Sequence, residues 1–480
     1  MPNLYTKMYK SKSITTKAFS LLPSFFIFNE WYKFLKKSQF FSRKQHETFQ
    51  LKRLIDLLNH AYEHVPYYRR VFNEHGLKPA DIKQLQDLQK LPFLTKELIR
   101  KNIDDLKATN IPSKKFEYVT TSGTTSGSMG PLGFYYEKGA SRAIEWAFMK
   151  TQWDRVGYKF SDKCVVIRGY GTQSNKKDRF YEYSFFRRWL LLSPFHMNEK
   201  NFSKYIDIIR TFNPKYIQAF PSEIVLLAKY MKLNEIKPFP NLKALLLGSE
   251  NLYAAQRELL EEVFQCPVYS WYGHAEQAVL AGECEKNEMY HIFPEYGIME
   301  LIDKSGSVIT NDDTVGEIVA TGLNNYVMPL IRYKTQDLAK LSSKRCSCGR
   351  HYPMITQLEG RIQEMIIGKD EGMISLTAIL AAIKRLEGYP QLNKVQFVQE
   401  EKGKLLIKIV KGETFTSYDE QEIVQSMEKT FGDVLTVDIE YVDEIPPTKI
   451  GKHRFLIQKL PVNFGKNHNN VWNKDDGNIL

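Results

Sequence analysis

The chain has 480 residues, of which 43% are hydrophobic and 25% charged, with a formal net charge of +12 and a pI near 9.1. That length exceeds one comfortable core, so two or three domains are expected, and the composition excludes a disordered or fibrous chain. The positive balance suits polyanionic partners such as nucleotides, coenzyme A or anionic lipid, or it simply reflects a lysine-rich surface; with no run of five basic residues and no nucleic-acid module signature, no nucleic-acid partner is expected.

Near the N-terminus, Lys7, Lys10, Lys12 and Lys17 precede an apolar stretch from Ala18 to Phe28. Pro23 interrupts it, no small-x-small cleavage site follows, and it is too short to span a bilayer. Residues 1–30 are therefore expected as an N-terminal extension that packs on the protein, with peripheral membrane contact as the alternative and no transmembrane segment. Leu51, Leu54, Ile55, Leu58 and Ala61 recur at helical spacing, and Val65-Pro66 stops one helix and starts another. In Leu91-Pro92-Phe93-Leu94-Thr95-Lys96, Thr95 has the character of a helix N-cap.

From about residue 115, the short apolar runs Cys164–Ile167, Tyr216–Ala219, Ala244–Leu247 and Val268–Trp271 alternate with helical patterns at 201–212, 222–232 and 251–264. This predicts an α/β fold with mostly parallel sheets in a large domain at 31–362. Gly297–Asp303 and Gly316–Gly322 indicate a β-rich subdomain at about 284–350. Past Arg361, a helix at about 375–387, strands at 394–399 and 404–410, a helix at 418–430 and a strand at 435–441 predict a small, mobile α+β lid domain at 363–462. The tail 463–480, rich in Asn, Lys, Asp and Gly, is expected to be disordered.

Residues 120–133 interleave hydroxyl side chains with Gly123, Gly127, Gly130 and Gly133, between Val119 and Phe134-Tyr135-Tyr136, which have strand character. Glycines let backbone N–H groups approach an anion and hydroxyls add donors, so Ser122, Gly123, Thr124, Thr125 and Gly127 are phosphate-binding candidates. No Gly-Lys-Ser/Thr follows, so this is not a Walker A loop; in isolation the same composition also makes a flexible linker. Tyr272-Gly273-His274-Ala275-Glu276 follows an expected strand and falls at its carboxyl end, where ligands of α/β sheets collect. His274 could equally be a satisfied core histidine, and Asp337 a turn-capping residue.

The five cysteines are Cys164, Cys266, Cys284, Cys346 and Cys348, an odd count that speaks against a disulfide framework and for a reducing cytoplasm. Cys284-x₆-His291 and Cys346-Ser347-Cys348 supply three thiolates and an imidazole, a set suited to structural Zn²⁺ with no open catalytic position. Free buried cysteines are the alternative.

Pro446-Pro447-Thr448-Lys449-Ile450-Gly451-Lys452, read with Thr120–Gly127, Tyr272–Glu276, Arg332-Tyr333-Lys334-Thr335-Gln336-Asp337 and Gly360-Arg361, resembles the motif series of the adenylate-forming enzymes. The resemblance implies that Lys452 stabilises charge on the α-phosphate, Tyr272-Gly273 receives adenine, and Glu276 coordinates Mg²⁺. It further implies that His274 donates to the α-phosphate or the substrate carboxylate, and that Ser249 and Glu250 lie at the adenine edge. Asp337 would take the ribose hydroxyls, Arg361 would reach ribose or phosphates, and Gln363 would be the hinge. The chain departs from the usual pattern at Ala275, Gln336 and Gln363, and Ser126 stands as an insertion before Gly127.

His60-Ala61-Tyr62-Glu63-His64-Val65-Pro66-Tyr67-Tyr68-Arg69, Leu91–Lys96 and Cys346-Ser347-Cys348-Gly349-Arg350 resemble the phenylacetate–CoA ligase and CapK-type capsular polysaccharide branch. That implies activation of a small-molecule carboxylate by ATP, with Mg²⁺, and thioester formation with coenzyme A in a polysaccharide pathway. Transfer to a sugar, amine or carrier protein is one alternative, and a nucleotide-binding accessory protein is another. The acid is expected to bind within 135–275, where Trp146, Trp153, Tyr170, Phe195 and Phe220 offer aromatic lining or serve as plain core. The identity of the acid and the oligomeric state, with a dimer as one option, stay open.

Overall fold

The computed structural model describes residues 21–121, 131–168, 180–197, 199–312, 314–383, 392–412, 414–446, 448 and 453–462. The phosphate-loop candidates Ser122, Gly123, Thr124, Thr125 and Gly127, the pocket candidate Tyr170, Lys452 and the tail 463–480 lie outside these residues.

Among the described residues, twelve strands join one sheet. Trp189–Leu192, Cys164–Ile167, Tyr216–Ala219, Ala244–Gly248 and Val268–Gly273 run parallel, and Tyr181–Ser184 pairs antiparallel on the outer edge. The parallel strands are apolar at nearly every position because both faces are covered. Successive side chains take opposite faces. Cys164, Val166, Tyr216, Ala244 and Leu246 pack with helices Leu21–Ser38 and Ala140–Asp154. Val165, Ile167, Ile217, Ala219, Leu245 and Leu247 pack with helices Glu199–Phe212, Pro221–Leu233 and Ala254–Phe264. Each fully buried aliphatic side chain of this kind contributes about 1.5–3 kcal/mol.

After Gly273 the sheet becomes antiparallel, through Leu280–Cys284, Asn287–Ile292, Met354–Arg361, Tyr333–Ser342, Val315–Gly322 and Gly297–Ile302 in that spatial order. The strands expected at about 284–350 are thus hydrogen-bonded into the same sheet as Val268–Gly273. One ladder therefore fixes the spacing between Tyr272, at the end of the parallel half, and Asp337, which stands opposite Arg361. Strands Phe116–Thr120 and Gly133–Glu137 form a separate hairpin, so the flanks of the phosphate-loop candidates are paired as expected.

Helix Arg43–His64 starts in a capping box at Ser42, and Pro66 opens helix Pro66–Glu74; Leu54, Leu58 and Ala61 are fully buried. Thr95 Oγ1 accepts the Leu98 N–H at 3.2 Å and caps Lys96–Lys101, a contact worth about 1 kcal/mol. Helix Leu21–Ser38 lies along Ala140–Asp154, with Trp31 on Phe148 at 5.6 Å between ring centroids and Tyr32 donating to Asp154 at 2.6 Å. No helix among the described residues is long and apolar enough to cross a membrane.

A separate C-terminal domain carries a four-stranded sheet in the order Thr436–Tyr441, Lys404–Lys411, Leu392–Gln399, Leu456–Gln458. Ile379 and Leu380 from helix Leu376–Ala382, with Ile423 and Met427 from helix Ser417–Phe431, cover Phe397 and Ile407. The first helix begins where expected, Ser375 Oγ accepting from Ala378 N–H at 3.1 Å, and is described to Ala382; residues 384–391 lie outside the described set. Leu456–Gln458 was not anticipated, because three residues carry no periodicity. It pairs parallel to Leu392–Gln399 and anchors the chain just beyond residue 452.

Candidate active site

The carboxyl end of strand Val268–Gly273 is where the distant motifs meet. Tyr272 donates its phenolic proton to Asp337 Oδ2 at 2.7 Å, and Arg361 Nε lies 3.3 Å from Asp337 Oδ1. Just beyond the strand, Glu276 is buried; Tyr333 donates to its Oε1 at 2.8 Å, and His274 Nδ1 lies 3.3 Å from its Oε2. Burial alone would raise the Glu276 carboxyl, but His274, Tyr333 and Lys96 outweigh it and bring it down to about 2. The site therefore holds a buried carboxylate that is ionised at neutral pH. His274 Nε2 is buried without a hydrogen-bond partner among the described residues, which leaves a nitrogen for a ligand.

Gln336 has φ +68°, in the left-handed region that favours glycine. The motif's usual glycine at this position has a backbone reason. The glutamine amide oxygen accepts from Lys96 Nζ at 2.8 Å and from Gln363 Nε2, of the expected hinge, at 2.6 Å. Lys96 was not among the expected site residues. Burial lowers its pKa, and Asp337 opposes that shift. Its signal was the Leu91–Lys96 segment itself: Leu94 N–H donates to Arg332 O at 3.0 Å and Lys334 N–H to Leu94 O at 2.9 Å, docking that segment on the Asp337 strand. Arg332 is tied into the same joint, pairing with Glu300 and donating to Leu91 O at 2.7 Å.

At the expected adenine edge, Ser249 also has a left-handed backbone, φ +70°. Its Oγ accepts from Arg168 Nη2 at 3.0 Å, and the Arg168 guanidinium sits 4.9 Å from the Trp271 ring and 5.2 Å from Phe220. Arg168, at the carboxyl end of strand Cys164–Ile167, carried no motif. Glu250 turns toward helix Pro221–Leu233, accepting the Ser222 N–H at 3.0 Å. It thus also satisfies one of that helix's free amides.

Of the expected pocket aromatics, Trp153 is core, edge-on to Trp146, Tyr158 and Trp271, whereas Phe195 is exposed. Tyr136 donates to the Ala275 carbonyl, and Glu145, held by the Tyr296 hydroxyl, is within electrostatic reach of His274. Helix Ala140–Asp154 and strand Gly133–Glu137 thereby bring polar groups to His274 that the sequence had not marked.

Lys452 itself is outside the described residues, but its flank is placed. His453 Nε2 donates to Val395 O at 2.7 Å, and Phe455 stacks edge-on against Tyr253 of the large domain at 5.7 Å. Arg454 is within electrostatic reach of Glu364, which accepts the Arg361 N–H at 3.3 Å. The segment after residue 452 thus faces the same corner as Asp337 and Arg361.

A second constellation lies farther along the sheet. Ligand atoms of Cys284, His291, Cys346 and Cys348 all fall within 4.8 Å of one another. Cys284 Sγ is 3.5 Å from Cys346 Sγ, and Cys348 Sγ is 3.4 Å from His291 Nε2. Tetrahedral ligands at about 2.3 Å from zinc stand about 3.8 Å apart, so the spacing fits. His291 Nδ1 donates to Met289 O at 3.2 Å, a tautomer that frees Nε2 for a metal. The two half-sites seen in sequence are brought together by the Asn287–Ile292 strand and the loop after Tyr333–Ser342.

Together, the fold and the convergence of motifs define an adenylate-forming architecture. Residues 366–459 match the family model of the CapK C-terminal domain. The chain is 24% identical to Protein CapK of Staphylococcus aureus over 427 residues, 87% of this chain and 91% of that protein. It is 29% identical to the phenylacetate-coenzyme A ligase of Aromatoleum evansii over 331 residues, 68% of this chain and 72% of that one. The solved 2-hydroxyisobutyryl-CoA ligase in its postadenylation state shares the fold, with TM-score 0.70 and 20% identity over 87% of this chain and 90% of that structure. Over most of its length the chain is thus similar to CapK and to the phenylacetate-coenzyme A ligases, and its fold is that of a CoA ligase of the adenylate-forming type.

Proposed function

We propose that the protein condenses a small-molecule carboxylate with ATP into an acyl adenylate and then forms a thioester with coenzyme A. The observation that carries this reading is the meeting of Tyr272, Asp337, Arg361 and Glu276 at the carboxyl end of the sheet, with the segment after Lys452 turned to the same corner. The phenylacetate-coenzyme A ligases among its relatives support the reaction class.

In this reading Asp337 and Arg361 hold the ribose hydroxyls, Tyr272 and Gly273 form the adenine wall, and Ser249 with Glu250 borders its edge. Ser122, Gly123, Thr124, Thr125 and Gly127 grip the phosphates. Glu276 would hold Mg²⁺, which when bound neutralises phosphate charge; one carboxylate plus phosphate oxygens satisfies that ion. A substrate carboxylate oxygen forms a bond to the α-phosphorus as the α–β bridging P–O bond breaks, its electron pair leaving with pyrophosphate. His274 Nε2 orients the carboxylate. Lys452 meets the negative charge that builds on the α-phosphate, a contact worth about 3–4 kcal/mol in the transition state. Rotation about Gln363 then clears the site for the thiol, whose sulfur attacks the acyl carbon and expels AMP.

A second reading changes only the acceptor. The acceptor would then be a sugar, amine or carrier protein in polysaccharide assembly, as the sequence resemblance to CapK-type proteins implies; similarity to CapK runs over 87% of the chain. Cys284, His291, Cys346 and Cys348 would hold a structural Zn²⁺, as thiolates suited to the reducing cytoplasm.

The test is carboxylate-dependent exchange of pyrophosphate into ATP across aromatic, fatty and amino acids, followed by thioester detection with coenzyme A. Lys452→Ala should slow exchange by about a hundred- to thousandfold while ATP binding is retained. If no acid supports exchange, the accessory-protein reading replaces this one; exchange without a thioester favours the second acceptor class.

A further inference from the structure

We propose that the hairpin of strands Tyr181–Ser184 and Trp189–Leu192 docks the protein on an anionic phospholipid surface. The inference is independent of the reaction proposed above. The hairpin forms the outer edge of the large sheet, with Ser184 opposite Trp189, and its four-residue tip Phe185-Phe186-Arg187-Arg188 is closed by the Arg188 N–H donating to Phe185 O at 3.2 Å. The base is fixed, because Trp189 is buried and its indole N–H donates to the Tyr158 hydroxyl at 3.1 Å.

The tip is the opposite of buried. Phe186 is 98% exposed and Phe185 76%, and Tyr181 and Tyr183 behind them are 50% and 46% exposed. Two phenyl rings are thus held out at the turn of the hairpin with most of their surface uncovered. Cations follow them directly in the turn. Arg187 and Arg188 are exposed, with the Arg187 guanidinium 5.0 Å from the Trp189 ring. Lys163 sits 5.3 Å from the Phe212 ring, against which Tyr183 packs at 5.8 Å. Of the nearby carboxylates, Asp162 is paired with Lys215 at 2.7 Å, and Glu182 is half-buried on the strand. Arg188 has φ 52°, where glycine would be easier, so a cation is kept at backbone expense.

Apolar rings at the tip, tyrosines a few ångströms behind and guanidiniums that can reach phosphate form the layered pattern of a bilayer interface. The net charge of +12 reinforces attraction to an anionic leaflet. In the N-terminal apolar stretch Phe28 packs against the protein, whereas Phe25 and Phe26 are also exposed, without arginines beside them.

Sedimentation with vesicles of phosphatidylcholine plus phosphatidylglycerol, against phosphatidylcholine alone, tests this on the full chain. The wild type should bind the anionic vesicles, less so at high salt. Phe185→Ser with Phe186→Ser should weaken binding at least about tenfold, with an unchanged melting temperature. Arg187→Glu with Arg188→Glu should abolish the preference for anionic over neutral vesicles. Failure of the wild type to sediment, or equal binding by the double serine variant, overturns the proposal. So does a wild-type dimer in vesicle-free buffer that the serine variant dissociates without any vesicle binding, which assigns the hairpin edge to a second copy of the chain.

Discussion

Tyr272 gives its phenolic proton to Asp337 across 2.7 Å, joining the end of the parallel half of the sheet to the antiparallel half. Arg361 completes the corner from the neighbouring strand, 3.3 Å from the other carboxylate oxygen. If this carboxylate receives the ribose, Asp337→Asn keeps the shape and removes the charged acceptor. The expected result is a rise of about ten- to hundredfold in the KM for ATP in pyrophosphate exchange, with a smaller change in kcat. An unaltered KM together with a lowered melting temperature would assign Asp337 to the sheet instead.

Gln336 poses a different question, because its backbone and its side chain pull in opposite directions. At φ +68° a glutamine costs about 1 kcal/mol relative to glycine. Its amide oxygen, however, holds both Lys96 and Gln363. Gln336→Gly should therefore leave the melting temperature unchanged or slightly raised while releasing Gln363, the proposed pivot. Single-turnover rates measured separately for adenylate and thioester formation should then shift relative to each other, the thioester step by severalfold. Identical ratios in variant and wild type would mean that Gln363 is no part of the pivot.

Why some of this was legible and some not follows from what sequence can encode. The parallel strands were readable because burial on both faces leaves an unbroken apolar run, as in Ala244–Gly248. Tyr272, Asp337 and Arg361 were readable because they stand in ordered motifs. The joining of the later strands to the same sheet was not, since alternation reveals a strand but not its neighbour. Lys96 lay in plain view as the residue after a helix cap, yet its partner is 240 positions away. Arg168 and Glu145 sit in no motif at all, and only packing brings them to Ser249 and His274.

The Cys284, His291, Cys346 and Cys348 group makes a prediction about metal and stability together. Purified protein should carry about one zinc per chain, and Cys348→Ser should weaken metal affinity by more than the ten- to hundredfold typical of losing an outer hydrogen-bond partner. Because the site clips the loop after Tyr333–Ser342 to strands Leu280–Cys284 and Asn287–Ile292, metal removal by a chelator should lower the melting temperature. Elemental analysis and thermal unfolding check both parts. A stable wild-type protein without zinc would overturn the metal assignment of these four residues.

Glu223 links the large domain to pH. It lies in the first turn of helix Pro221–Leu233, 5% exposed, beside a cavity of about 40 Å³ lined also by Lys229, Lys394, His453 and Phe455. Burial, and then the neighbouring Glu250, push its carboxyl up to about 8, while Lys394 of the small domain opposes them. The folded state thus holds this proton more tightly than the unfolded chain does. Its stabilising contribution is full below the unfolded value of 4.5 and is lost as pH rises through about 8. Glu223→Gln removes that loss, so urea unfolding should find wild type and variant similar near pH 4.5 and the variant more stable by a few kcal/mol, at most about 5, at pH 8.5. Equal stability differences at both pH values would show that folding leaves the Glu223 carboxyl unshifted. The cavity is shared by the two domains, and Lys229 donates to Leu392 O at 2.8 Å beside it, so the titration should also loosen the contact that carries the segment after residue 452. A pH-dependent increase in proteolysis at the domain junction, absent in Glu223→Gln, would report that loosening directly.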